Sequence, residues 1–211
     1  MTDEAPDPRE FWDEFYGGHD QVWSGRVNAQ LAERVAGLPP GRALDLGCGE
    51  GADAIWLAAQ GWQVVAVDIS ENALRRARAA AQAREVVDRI RFERHDLSTG
   101  FPPGEFDLVS APFLHSPVPL DRVSVLRRAA EAVAAGGTLL IVDHAAAPPW
   151  AGEHAREHHF PTAQEVLAGL DPQAAQWELL RCGTAEREAL GPDGQSAVLT
   201  DNVIVLRRIG G

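Results

Sequence analysis

The 211-residue chain is long enough to bury a continuous core, and its 45% hydrophobic and 24% charged residues describe a globular domain rather than a disordered chain. Its 31 acidic against 19 basic side chains leave a formal charge of −12, which argues against wholesale wrapping of a nucleic-acid backbone. Two cysteines, Cys48 and Cys182, form no CxxC pair, MTDEAPDPRE does not read as a signal peptide, and no apolar run of about 18 residues reads as a membrane span. The expectation is one acidic cytoplasmic domain, monomer or homodimer.

Residues 8–18, PREFWDEFYGG, predict a short helix carrying Phe11, Trp12, Phe15 and Tyr16, stopped by Gly17-Gly18. It either seals the core or forms a lid over a pocket. The WSGR turn at 23–26 follows. Val27, Leu31 and Val35, with Ala32 and Ala36, then recur at helical period until Gly37 and Pro39-Pro40.

RALDLG predicts a buried strand, GCGEGADAIWLAAQG a glycine turn opening a helix, and WQVVAVDIS a second strand. Ser70 caps the Ala- and Arg-rich helix that follows. DRIRFERHDL and EFDLVSAPFLH predict the third and fourth strands. A helix over about 120–135 stops at Gly136-Gly137, before a fifth strand, TLLIVDH. The alternation specifies a parallel α/β sheet with helices on both faces.

After His144, AAAPPWAGEHAREHHF reads as an inserted loop or short helix. PTAQEVLAGL reads as a helix capped by Thr162 with Glu165 three residues on. WELLRCGTAERE and AVLTDNVIVLRR, around GPDG, predict an antiparallel pair closing the sheet.

LDLGCGEGA carries the most chemistry. Gly47, Gly49 and Ala52 fit a dinucleotide fingerprint, while Gly47, Gly49 and Gly51 fit G-x-G-x-G. Both let a backbone turn approach a ligand at a helix N-terminus. Asp45 separates them. At a strand end two residues before Gly47, it repels a pyrophosphate and attracts an ammonium or sulfonium, and S-adenosylmethionine carries both. Asp68 suits a ribose diol and Asp96 an adenine amino group.

On ALDLGCGEG, VVAVDIS, RHDL, FDLVSAPFLH and GGTLLIV, the chain resembles the class I, Rossmann-like S-adenosylmethionine-dependent methyltransferases over about residues 27–208. The resemblance implies a seven-stranded sheet of order 3-2-1-4-5-7-6 with an antiparallel last strand. It implies that Asp45 and the loop Gly47, Cys48, Gly49, Gly51 hold the methionine end, and that Asp68 takes the ribose. Ile69, Asp96 and Leu97 would surround adenine, and Ser110 to Phe113 would lie beneath the methionine. WSGR also resembles the start of the small tellurite and thiopurine methyltransferases, which would put Trp23 and Arg26 near the cofactor. The domain organisation expected is a cap at 1–26, a methyltransferase domain at 27–211, and an insert at 143–161 over the acceptor pocket.

Methyl transfer is an in-line displacement governed by positioning and desolvation, so it requires no enzyme nucleophile. The Cys48 side chain is then packed or, alternatively, reactive; Cys182 is expected in the core. A thiolate, halide or tellurite acceptor needs no base, whereas a hydroxyl or phenol does. His115 is the candidate, either as base, as pocket wall, or as a structural histidine. His154 and His158, four apart beside His159 and His144, read as a metal site, as pocket lining, or as an exposed loop. Trp12, Trp23, Phe113, Trp150 and Phe160 could together form an apolar acceptor wall.

A small-molecule acceptor is favoured over a macromolecular one. No D/N-PP-Y/F run follows the fourth strand, where SAPF stands instead. A nicotinamide oxidoreductase and a non-catalytic cofactor binder remain as alternatives.

Overall fold

The computed structural model describes residues 6–152, 159–172, 176–191 and 193–210. Seven strands form one sheet in the order β3-β2-β1-β4-β5-β7-β6. The central strands are β1 (Arg42–Leu46), β2 (Gln63–Asp68), β3 (Ile90–Arg94), β4 (Phe106–Pro112) and β5 (Val133–His144), all parallel. A long hairpin, β6 (Trp177–Leu190) and β7 (Ser196–Arg208), joins through β7, antiparallel to β5. Order and closing hairpin are as the resemblance implies.

The inner strands β1, β2, β4, β5 and β7 are rich in buried Val, Leu and Ile because the sheet is covered there on both faces, whereas the edge strands β3 and β6 are mostly exposed or half-buried. On one face Leu44, Leu46, Val109, Leu139, Ile141 and Ile204 pack under α5 (Arg122–Glu131) and α6 (Ala163–Leu170). On the other, Leu108, Leu140, Val142, Val203 and Val205 meet Leu31 of α2 (Ala29–Val35), Leu57 of α3 (Ala52–Ala59) and Trp62. Ser70 caps α4 (Glu71–Ala83), its hydroxyl accepting from Ala73 N. Thr162 and Glu165 close a reciprocal capping box on α6.

Two boundaries differ from expectation. Asn28 caps α2 through bonds from Gln30 N and Leu31 N, so Val27 stays outside the helix and packs against the core from the loop. The Ala-rich stretch at 129–135 is helix only to Glu131; Val133 already pairs with Phe106, and a register shift before Leu108 absorbs the early start of β5. Composition cannot separate the two fates of that stretch, since alanine tolerates both. β5 also runs through His144, so the segment beyond it begins at Ala145.

The aromatic helix is α1 (Pro8–Gly17), which lies across the carboxyl ends of the strands. Its Asp13 accepts from Ser70 Oγ at 2.7 Å and Arg94 Nη2 at 2.7 Å, beside β2 and β3. Its Trp12 donates from Nε1 to Ser116 Oγ at 3.3 Å, beyond β4. Among the described residues no helix is long and apolar enough to cross a membrane.

Candidate active site

Parallel α/β sheets bind ligands beyond the carboxyl ends of their strands. The glycine turn stands there, between β1 and α3. Gly47 and Gly49 take φ of +67° and +52°, in the left-handed region that a side chain strains. A Cβ at Gly47 would stand 2.7 Å from Leu114 Cδ1, and one at Gly49 2.9 Å from the Tyr16 hydroxyl. The turn is held from below, Cys48 N donating to Val67 O and Gly49 N donating to Asp68 Oδ2 at 2.8 Å.

Three carboxylates gather under this turn. Asp45 is 1% exposed; its Oδ1 lies 3.5 Å from Ser110 Oγ, opposite it in the β1–β4 register, and its Oδ2 has no hydrogen-bond partner. Burial, then the charges of Asp53 and Asp68, push its carboxyl well above the usual carboxylate range. Burial likewise lifts Asp53 to about 6, against a bond donated by Asn28 N at 2.6 Å. Asp68 is raised by burial too, while bonds from Ser70 N and Gly49 N hold it back. Burial pushes the Cys48 thiol well above its ordinary value, as in a packed rather than a reactive cysteine. Cys182, on β6, is only half-buried.

The segment after α1 is tied directly to the turn. Glu50 accepts from Val22 N at 3.1 Å and Trp23 N at 2.9 Å, and pairs with Arg76 at 3.0 Å. Trp23 Nε1 donates to the Tyr16 hydroxyl at 2.9 Å, so the two rings stand together above Gly49. Arg26 is exposed, its amide bonded to Ser24 Oγ. Ile69 is half-buried, its carbonyl taking Arg94 Nε. Asp96 opens a turn, Oδ1 accepting from Ser98 N, and Leu97 is buried in the core.

Beyond β4, Phe113 adopts φ +52°, rare for a non-glycine residue and typical of functional loops. The reversal lays Leu114 over Gly47 and brings His115 back toward β5. His115 Nε2 lies 3.1 Å from Asp143 Oδ1, within ion-pair reach though out of line for a hydrogen bond. Asp143 is 1% exposed and takes Arg122 Nη2 at 2.5 and 2.6 Å; Arg122 Nε in turn donates to Leu114 O.

The matched family, described as "Methyltransferase domain", covers residues 43–137, from β1 into β5. The chain is 34% identical to 27-O-demethylrifamycin SV methyltransferase of Amycolatopsis mediterranei, over 81% of this chain and 77% of that protein. The chain belongs to the class I S-adenosylmethionine-dependent methyltransferases. Among solved structures, one described under "Conversion of a Disulfide Bond into a Thioacetal Group during Echinomycin Biosynthesis" superposes on the methyltransferase with a TM-score of 0.74. It is 25% identical and covers 95% of this chain and 93% of its own. TehB from Haemophilus influenzae shares the fold at a TM-score of 0.67 and 17% identity, over 92% of this chain and 66% of its own.

S-adenosylmethionine is the methyl donor of this methyltransferase, and the residues present fit it. The buried Asp45 Oδ2 lacks a partner in a cluster of acids whose ionised forms a cation would favour, and the turn beside it leaves no room for a side chain. The motif residues of the methyltransferase were visible as local spacings. Its Tyr16, Glu50 and Arg76 anchors and the Asp143–Arg122 pair were not, because nothing local marks partners from distant strands and helices. Of the expected aromatic wall, Trp150 stands at the β6–β7 turn, where a Cβ on Gly191 would meet its ring at 2.8 Å. His154 and His158 lie outside the described residues; His159 is exposed, 3.9 Å from Glu165.

Proposed function

We propose that the enzyme transfers methyl to a small-molecule hydroxyl, with His115 as the general base. The observation carrying this reading is His115 itself, set beside the buried Asp143 at the crevice end of β4 and β5. The ion pair of Asp143 with Arg122 fixes the carboxylate, and its negative charge, 3.1 Å from Nε2 without a hydrogen bond to it, favours the imidazole proton on that nitrogen. Nδ1 is then left with a lone pair able to take a hydroxyl proton. The relative 27-O-demethylrifamycin SV methyltransferase, named for an O-demethylated substrate, supports an oxygen acceptor.

In this reading Asp45 and the turn Gly47, Cys48, Gly49, Gly51 receive the cationic methionine end of the cofactor, and Asp68 the ribose. Ile69, Asp96 and Leu97 flank the adenine, and Ser110 to Phe113 form the floor. The described part of the cap, residues 6–26, closes α1 and Trp23 over the turn and keeps water from the reacting centre, with Arg26 at its rim; residues 145–152 and 159–161 flank the acceptor side. The bound cofactor supplies a methyl carbon already activated by its sulfonium sulfur. The protein orients the acceptor, removes its proton at His115, and excludes solvent.

The test is transfer of labelled methyl to a panel of phenols, thiols, halides and tellurite, comparing His115→Ala with wild type over about pH 6–9. Loss of phenol methylation and of its pH profile is expected. An unchanged rate and profile removes the base and points to a nucleophile that is already ionised.

A further inference from the structure

β5 ends on two consecutive polar residues, and alternation along a strand sends them to opposite faces of the sheet. Asp143 turns toward α5 and Arg122. His144 turns the other way, opposite Asp201 in the antiparallel β5–β7 register. Asp201 is 1% exposed. Its Oδ2 accepts from Arg187 Nε at 2.6 Å, and its Oδ1 makes no hydrogen bond and lies 3.5 Å from His144 Nδ1. The His144 ring stacks on Phe113, centroids 4.2 Å apart and planes at 18°, and the Arg187 guanidinium lies 5.2 Å from the Phe113 centroid. A histidine, a buried aspartate and an arginine thus recur as a set, first as His115, Asp143 and Arg122, then as His144, Asp201 and Arg187. The two imidazoles lie 6.2 Å apart at 18°, with 35% and 36% of their side-chain surface exposed.

We infer that His144 is a second acceptor-binding histidine and that the acceptor presents two neighbouring hydroxyls, one to each ring. This rests on the hydroxyl-methylating reading above and names its substrate class. In each set the carboxylate favours the imidazole proton on the nearer nitrogen, Nε2 in His115 and Nδ1 in His144. Nδ1 of His115 and Nε2 of His144 are left as two lone-pair acceptors. A thiolate, halide or carboxylate brings no proton to either, and a single hydroxyl satisfies one. A catechol or another vicinal diol satisfies both, and the His144 ring, backed by Phe113, suits an aromatic one. One oxygen passes its proton to His115 and forms the new O–C bond, while the electron pair of the broken C–S bond returns to sulfur. The other oxygen keeps its proton, held on His144, and the product is a monomethyl ether with one free hydroxyl. His144 acts as a positioning residue and does not itself take the proton.

The test uses catechol and phenol as probes, titrated calorimetrically into the full-length protein saturated with S-adenosylhomocysteine. Wild type is expected to bind catechol about tenfold or more tightly than phenol, because a site built for a second hydroxyl discriminates against its absence. His144→Ala is expected to weaken catechol more than phenol and so to collapse the difference between them. His144→Gln, whose amide oxygen still accepts a proton, is expected to recover most of the difference. With labelled methyl transfer, His144→Ala should raise the catechol KM more than it lowers kcat, whereas His115→Ala should lower kcat. Catechol and phenol bound alike by wild type, neither bound, or both weakened equally in His144→Ala each overturn the inference. Catechol methylated by His115→Ala at the wild-type rate and with the wild-type pH profile would instead strike the hydroxyl-methylating reading on which it rests.

Discussion

Replacing Asp45 with asparagine is expected to stabilise the cofactor-free enzyme and weaken its cofactor binding at the same time. Asp45 is 1% exposed, its Oδ2 is unpartnered, and Asp53 and Asp68 repel its charge. A buried polar atom without a partner costs about 1–3 kcal/mol. Asparagine copies the neutral acid and keeps a polar group there, so what it removes at pH 7.5 is the penalty on the charge, about 1–3 kcal/mol. A domain of this length gains roughly 2–4 °C per kcal/mol, so melting should rise by roughly 2–12 °C. The sign of the pH dependence follows from the raised pKa. The acid's favourable neutral form is present below its unfolded pKa and lost as pH rises through the folded value. The advantage of Asp45→Asn therefore grows with pH and vanishes below about pH 4. Binding moves the other way. Losing a charged partner for the cofactor's cationic end costs about 1.5–3 kcal/mol, or roughly 10- to 150-fold in Kd. Thermal melting and calorimetric titration with S-adenosylhomocysteine, which keeps the ammonium group, read both effects. A lower melting temperature at pH 7.5, or an unchanged Kd, refutes the reasoning.

Asp53, raised to about 6 by burial, should make the cofactor-free protein lose roughly 1–3 kcal/mol of stability as pH rises from about 4 to 6.5, and Asp53→Asn should flatten urea-unfolding free energies across that window. Glu50→Ala removes the acceptor holding Val22 N and Trp23 N. It should speed cofactor release about five- to tenfold in stopped-flow tryptophan fluorescence; an unchanged release rate would show that residues 18–26 do not cover the cofactor. Thr162→Ala breaks the capping box of α6 and should cost about 1 kcal/mol in urea unfolding with methyl transfer unaltered, which separates fold support from chemistry.

Much of this architecture was legible because its signals are local. A buried strand, a glycine turn and a capped helix each announce themselves within ten residues, so β1, the turn and α3 were placed together by LDLGCGEGA. The start of β5 was misplaced because alanines at 132, 134 and 135 fit helix and strand alike, and only pairing with Phe106 decides. The acidic cluster was half legible. Asp45 and Asp68 stood out beside the glycines, whereas Asp53, inside α3, looked like an ordinary first-turn acid. His115 stood out as a lone histidine after β4, but nothing near it in sequence named Asp143. In sequence His144 stands with the histidines that follow it, although its partners are Phe113 and Asp201. Register, not motif, brings those together.

The antiparallel entry of β7 has a consequence for how such an enzyme changes its substrate. The proposed donor side rests on β1, β2 and the turns after them, all read in the forward direction from contiguous motifs. The reversed hairpin brings Asp201 and Arg187 to the crevice from the far end of the chain, and its tip extends past the last residue of β5. Mutations accumulating in that arm leave the glycine turn untouched. On the proposed acceptor site, acceptor preference would drift or be engineered in the hairpin by itself, while the half of the molecule proposed to handle the common donor stays under separate selection.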